Sequence, residues 1–517
     1  MAHCGPRRRQ GQAGLNVAAA DTRALLDQLQ RPLTDNPRLG IVLAAGHGKR
    51  IRSATSKMLH EIWGRPSVQR VADAVSAGVD SPNQVIVVGI KGEDVARTLD
   101  ACPGRRFAYQ ENPVLGLPGG TGDAVRVALE HFDAEDRTVY VFPGDMALLT
   151  QRVVAQFRQD FEAQDCDMMV LTGLYDGTAE TNYYGRIVRV PDVDAQGDST
   201  GADVGRLIAI KEHKDILGLP ADGGETLQYK GRDFTFTRDE LLRINEINTL
   251  VVAFRERALR EHIGSMDTDN VQGELMLTDL VEIFNRHALI VRAVPAVSEE
   301  DILGFNVKSV WRQMESIATR RSYERLMDIV TVVDEDDFYL DDDVIDQIIA
   351  LDEEQGPLDI VIGKGVQVGR GIRLAPKVHL GDRCRLSGSV VFEQGVHIGP
   401  GVELSTYPGQ TMVLRCDSQV LARSVLKGNL ELGAGSRVES GVLMTGSNEH
   451  PMRVGKGVTI KGTSYLYGCR VDDDITIEHS VIKSRHVHRV MRRDGSVQPV
   501  RYVLPPPEGL DSIAPLS

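Results

Sequence analysis

The segment Leu43-Ala44-Ala45-Gly46-His47-Gly48-Lys49-Arg50 holds the first residues able to do chemistry. Two glycines let the backbone approach a phosphate closely, and successive N–H groups can then cradle it. Arg50 can hold phosphate oxygens through two parallel N–H bonds. Taken alone, a Gly-x-Gly-x-Arg loop is as often a plain turn. Lys57, in Ser56-Lys57-Met58-Leu59-His60, strengthens the reading. A second cation is useful where two phosphorylated substrates must meet against their own repulsion.

These residues need a frame. Leu39–Leu43, Gln84–Val88 and Thr138–Phe142 are short apolar runs of the kind found in buried strands, and the amphipathic stretches Val68–Ala77 and Asp123–Phe132 lie between them. Strands alternating with helices imply a parallel, doubly wound sheet, in which ligands bind at the carboxyl ends of the strands. Between about 180 and 320 the pattern is mixed, with strand candidates at Gly185–Val190 and Leu250–Phe254.

From about 360 onward the texture changes. Ile362, Val368, Leu374, Leu380, Leu386, Phe392, Ile398 and Leu404 recur every six residues, and Val366, Ile372, Val378, Cys384, Val390, Val396 and Val402 keep the same step. Such a period belongs to a β-helix of flat rungs whose apolar residues stack inward. Gly363, Gly369, Gly381 and Gly399 follow inward positions, where a Cβ is awkward. The repeat weakens after Pro408, so Tyr407–Arg423 is expected to be a loop or distorted coil. It resumes in Leu426, Leu432, Val438, Met444, Val454, Ile460 and Leu466.

At 517 residues the chain exceeds one hydrophobic core. The expected domains are an extension over 1–37, a catalytic domain over 38–320, a helical and acidic connector over 321–358, a β-helix over 359–487 and a tail over 488–517. Residues 20–29 read as a frayed, partly helical piece. The acidic run Asp334–Glu354 reads as a solvated connector. A net charge of −14 argues against a nucleic-acid partner. No run reaches the roughly 20 apolar residues that span a bilayer. The six cysteines form no CxxC pair, which points away from a metal cluster or disulfide framework and toward a reducing, cytoplasmic setting.

The ordered motifs resemble a known family. Leu-Ala-Ala-Gly-x-Gly-x-Arg, then Lys57-Met58-Leu59-His60 and Gly64-x-Pro66, is similar to the sugar-nucleotide pyrophosphorylases, and most of all to the bacterial N-acetylglucosamine-1-phosphate uridyltransferases. The likeness continues through Gly120-Thr121-Gly122, Pro143-Gly144-Asp145, Tyr184-Gly185-Arg186, Glu212-His213-Lys214-Asp215, Glu246-Ile247-Asn248-Thr249, Gln272-Gly273-Glu274, Thr278-Asp279 and Gly304-Phe305-Asn306. It implies a Rossmann-like doubly wound nucleotidyltransferase domain followed by a left-handed parallel β-helix of hexapeptide repeats.

The resemblance also implies roles. Ala44, Gly46, Gly120 and Thr121 would line the uracil and ribose, with Gln110 on the base. Arg50 and Lys57 would bind the phosphates as the catalytic cations. Asp145 and Asn306 would hold Mg²⁺, and Gly185, Glu212 and Asn248 would hold the sugar. The partners implied are UTP and N-acetylglucosamine 1-phosphate, and assembly is expected to be a homotrimer through the β-helix. The chain departs from the family at Lys49 (usually Thr), Ser56 (usually Pro) and Leu250 (usually Gly), and carries about five extra residues within Asn112–Pro118, beside the base pocket. That insertion keeps another sugar or base open. In bifunctional members the β-helix acetylates glucosamine 1-phosphate, through an Arg-Pro segment, a catalytic His, paired lysines and an Asn-Tyr-Asp-Gly stretch. No such set is found around His379, His397 or His450, so acetyl transfer is expected to be absent. A trimeric sugar-nucleotide sensor is the non-enzymatic rival.

Overall fold

The computed structural model describes residues 20–46, 48, 51–53, 55–111 and 119–506. Arg50, Lys49 and the Asn112–Pro118 insertion lie outside them. The chain divides into two compact units, Met1–Glu315 and Ser316–Ser517.

The first unit is built on a sheet in the order Val291–Pro295, Met168–Leu174, Glu246–Arg255, Thr138–Pro143, Arg38–Ala44, Gln84–Val88, Arg105–Tyr109. Along this order all neighbours are parallel except Glu246–Arg255, which runs against the strands on either side; Arg186–Arg189 and Leu207–Lys211 add to the sheet off this path, also antiparallel. The apolar runs are continuous because both faces are covered. Leu39, Ile41 and Leu43 enter one core with Val85, Val87, Val139 and Val141. Val42 and Ala44 enter the other with Ile86, Val88, Tyr140 and Phe142. Arg38–Ala44 lies between Gln84–Val88 and Thr138–Pro143. The strand order therefore reverses at the strand that feeds the glycine loop, which is where a crevice opens.

Residues 20–29 form a helix that is docked rather than frayed. Leu26 is buried among Val42, Ala44, Leu99 and Phe107, with Leu25 and Leu29 packed alongside. The Gln30 side chain then donates to the Phe107 carbonyl at 2.8 Å and accepts from its amide at 3.0 Å. The free edge of Arg105–Tyr109 is thereby capped.

The second unit is a left-handed parallel β-helix, a three-faced prism with sheets of nine, eight and seven short parallel strands. Every member of both hexad series is buried. Ile362 pairs with Leu380 and Leu380 with Ile398. The glycines after inward positions answer to rung spacing, since a Cβ at Gly363 would stand 2.8 Å from the Asp382 amide on the next rung. The left-handed corner falls two residues on. There Gly365, Gly401 and Gly441 alternate with Arg383 (φ 57°) and Arg423 (φ 59°).

Two expectations about this unit are corrected. Tyr407–Arg423 is mostly regular: Met412–Leu414 and Gln419–Val420 stack on Val390–Phe392 and His397–Ile398, so only the turn before Met412 departs from the rungs. The acidic run is built into regular elements rather than being a plain connector, although its carboxylates stay at the surface. Thr331–Val332 and Phe338–Leu340 supply the first coil. The helix Asp342–Gln355 begins with Asp341 accepting from the Asp343 amide, and it buries Val344, Ile345 and Ile348. Asp341, Asp342 and Asp343 sit at its N-terminus, where carboxylates complement the helix dipole. At the other end Val500–Arg501, within the expected tail, pairs with Thr476–Glu478.

Candidate functional site

Lys57 opens a single turn, Lys57–Leu59, and is buried with Met58. Asp145 follows the strand Thr138–Pro143, at its carboxyl end. The Gly144 amide donates to the Leu43 carbonyl at 2.9 Å, and the Ser67 hydroxyl donates to the Gly144 carbonyl at 3.0 Å. Asn306 follows the fully buried Phe305. A Cβ at Gly304 would come within 3.5 Å of both Asp145 carboxylate oxygens, so this loop lies directly on the aspartate.

These three residues, far apart in sequence, meet at one point. The Lys57 ammonium pairs with Asp145 Oδ2 and donates to Asn306 Oδ1 at 2.6 Å, with the Phe305 ring 5.6 Å away. One carboxylate oxygen and one amide oxygen therefore converge on a single cation. That hard-oxygen donor set suits a divalent cation such as Mg²⁺, which takes few protein ligands and completes its shell with water and phosphate. The ammonium stands where such an ion would be held, so the residues fit the metal that the resemblance implies.

A second group lies around Gly120. The Gln110 amide nitrogen donates to the Gly120 carbonyl at 2.9 Å and to Asp123 at 3.0 Å. Gly120 has φ 100° and precedes the helix Thr121–Leu129. The Gly122 amide donates to the Leu275 carbonyl at 2.9 Å, and the Leu277 amide donates to the Thr121 hydroxyl at 3.0 Å. The glycine is required here because a Cβ would collide with the Leu275 carbonyl.

Gly185, Glu212 and Asn248 form the third group. The Asn248 amide donates to the Gly185 carbonyl at 2.9 Å, and a Cβ at Gly185 would stand 3.2 Å from Glu212 Oε1. Burial pushes the Glu212 carboxyl above its ordinary range. Asp215 adds to this, while the Thr278 hydroxyl, Lys214 and Arg186 oppose it. Burial and the Asp145 charge raise the Tyr184 phenol, so this wall and the Lys57 cluster feel one another. Ala44 is buried and Gly46 exposed at the end of the central strand, with Met58 3.7 Å from where a Gly46 Cβ would be.

Three residues carry positioning work that sequence reasoning gave no role. Arg186 is fully buried and holds the Asn182 side chain at 3.0 Å, the Asn182 carbonyl at 2.8 Å and the Tyr184 carbonyl. It stiffens the turn that presents Gly185. Its place in Tyr184-Gly185-Arg186 was the available signal. Thr278 steadies Glu212. Gly89 allows the chain leaving the strand Gln84–Val88 to pass the Ala45 carbonyl, which a Cβ would approach to 3.0 Å. A glycine at a strand's carboxyl end was its only mark.

Comparison with known proteins shows the family. Residues 40–215 match a family described as a MobA-like NTP transferase domain. The chain is 32% identical over 407 residues to the bifunctional protein GlmU of Streptomyces griseus, covering 71% of this chain and 76% of that protein. It is 30% identical over 455 residues to that of Kineococcus radiotolerans, covering 87% and 78%. With that of Heliobacterium modesticaldum it shares 28% identity over 467 residues, covering 89% and 87%. The chain belongs to the GlmU family and is a nucleotidyltransferase of the sugar-nucleotide pyrophosphorylase type.

Proposed function

We propose that this enzyme joins UTP to N-acetylglucosamine 1-phosphate, forming UDP-N-acetylglucosamine and releasing pyrophosphate, with Mg²⁺ held by Asp145 and Asn306. The observation that carries the reading is the convergence of Asp145 and Asn306 on the Lys57 ammonium. An oxygen of the sugar phosphate attacks the α-phosphorus in line, the P–O bond to the β-phosphate breaks, and pyrophosphate departs. No covalent bond to the protein forms, so positioning and charge neutralisation supply the acceleration. Bound Mg²⁺ would neutralise phosphate charge. Asp145 and Asn306 would hold the ion through their side-chain oxygens, and Lys57 and Arg50 would bind the phosphates.

Ala44, Gly46, Gly120 and Thr121 line the nucleoside in this reading. Gln110, whose amide nitrogen is already engaged, would meet the base through its oxygen. Gly185, Glu212 and Asn248 would take the sugar hydroxyls and acetamido group. The β-helix would serve assembly as a homotrimer rather than acetyl transfer.

Pyrophosphate release is the test, with UTP and N-acetylglucosamine 1-phosphate set beside other triphosphates and sugar phosphates. Release confined to that pair supports the reading, and release with another pair moves the specificity. Asp145→Ala should lower turnover at least a thousandfold while the chain still folds. A variant that keeps near-wild-type turnover refutes the metal assignment.

A further inference from the structure

The last coils of the β-helix carry a cluster that nucleotidyl transfer does not use. Strand His486–Val487 pairs with Arg470–Val471, with Val487 opposite Val471. Both valines point inward and are buried. Side chains alternate along a strand, so His486 and His488 both project outward on either side of Val487. Asp472 projects beside them from the neighbouring rung, and its amide donates to the Val487 carbonyl at 3.0 Å.

The three side chains converge. His486 Nε2 lies 2.8 Å from Asp472 Oδ1, and His488 Nδ1 lies 3.7 Å from Asp472 Oδ2. The imidazole centroids are 3.7 Å apart. One ligand atom from each residue falls within 4.8 Å of the other two. Ligands bonded to a tetrahedral zinc ion at about 2.0–2.1 Å stand roughly 3.3 Å apart, a spacing within the span of this set.

We propose that Asp472, His486 and His488 form a binding site for a divalent transition-metal ion of the zinc class. Two imidazoles and one carboxylate select such an ion over Mg²⁺ or Ca²⁺, which prefer oxygen alone. The carboxylate is already oriented, since the Arg489 amide donates to Asp472 Oδ2 at 3.1 Å. The competing guanidinium of Arg489 is drawn away to Asp474, also at 3.1 Å. Because the ligands come from two successive rungs, the ion clips the last full coil to the one before it. Remaining coordination positions face solvent and take water.

The experiment uses the full chain, purified without a histidine tag, titrated with Zn²⁺ by calorimetry beside Asp145→Ala. One saturable equivalent is expected in both proteins, with a rise in melting temperature that follows the Zn²⁺ concentration. H486A and H488A should each weaken binding about tenfold or more, and the pair should abolish it. The metal-free variants should melt with the metal-free parent, because both imidazoles lie on the surface. Should the double variant fail to fold, cobalt(II) titration of D472N keeps the question open to measurement, since loss of the tetrahedral absorption seen with the parent supports the site. Absence of a saturable equivalent, or binding that survives the double variant, overturns the proposal.

Discussion

The two units bring residues together by opposite means. In the transferase unit, Lys57, Asp145 and Asn306 meet although the chain between them supplies most of a sheet. In the β-helix, residues that touch are one coil apart, and the same step recurs from Ile362 to Leu380 to Ile398. The helix can absorb local change, as the turn before Met412 does without disturbing the rungs on either side. The transferase site has no such slack, because its contributors arrive separately: Lys57 on the turn Lys57–Leu59, Asp145 after the strand Thr138–Pro143 and Asn306 on a loop. Energetics in a stacked repeat are local, whereas a converging site depends on every element that feeds it.

The largest expected effects test that separation directly. Leu404→Ala removes a fully buried side chain stacked between Leu386 and Leu426. It should destabilise the β-helix by about 2–5 kcal/mol, read as a fall in its urea midpoint. Turnover at low temperature should stay within about twofold of the parent. Asp145→Ala should do the reverse, losing turnover while the β-helix keeps its midpoint. If Leu404→Ala silences pyrophosphate release under conditions where the chain remains folded, the two units are coupled and the comparison fails.

The same contrast explains what the sequence made legible. Periodicity of six marks burial residue by residue, so both hexad series could be placed in the core before any coordinates. The parallel strands were visible as uninterrupted apolar runs, because a sheet covered on both faces leaves no alternation to confuse. Convergence at Lys57 was not visible in this way. Spacing says nothing about which strand ends lie side by side, and only the order of motifs suggested it. The motif Tyr184-Gly185-Arg186 marked Arg186 without its role, because a buried guanidinium bonded to carbonyls looks, in sequence, like any surface arginine. The docking of 20–29 was missed because Leu25, Leu26 and Leu29 make too short a stripe to signal an edge cap. The acidic run misled because its surface carboxylates outnumber Val344, Ile345 and Ile348, the few buried residues that anchor its helix.

A smaller effect concerns the sugar wall. Burial raises the Glu212 carboxyl, so on acidification it takes up a proton at a higher pH than an ordinary carboxylate. If it accepts sugar hydroxyls, KM for the sugar phosphate should climb as pH falls through that raised range, with kcat changing less. Glu212→Gln should raise KM about tenfold and flatten the part of the profile owed to this group, leaving the slope contributed by the substrate's own phosphate. An identical pH profile in the variant would remove Glu212 from the sugar site.

The smallest effect distinguishes backbone demands in the two units. Leu250 sits at φ 64°, at the bulge where the register of Glu246–Arg255 shifts between Asn248 and Val251. Asn248 Oδ1 accepts from the Leu250 amide at 3.0 Å, and the Thr249 hydroxyl donates to the Leu171 carbonyl at 2.6 Å, which hold the bulge in place. A left-handed conformation costs a non-glycine residue about 1 kcal/mol, so the usual glycine at this position has a physical reason. In an ordinary strand Ala is more stable than Gly by roughly 0.5–1 kcal/mol. Here the order should invert. Leu250→Ala loses half-buried packing and keeps the strain, while Leu250→Gly loses the packing and relieves it, so the Gly variant should be the more stable by about 0.5–1 kcal/mol. Arg423, at φ 59° on a β-helix corner whose neighbouring rungs carry Gly401 and Gly441, should show the same inversion. Paired urea midpoints for the Ala and Gly variants at both positions measure it. Inversion at Arg423 alone would mean that the bulge relaxes when Leu250 is trimmed, and that the transferase strand, unlike the helix corner, is not fixed in the left-handed conformation.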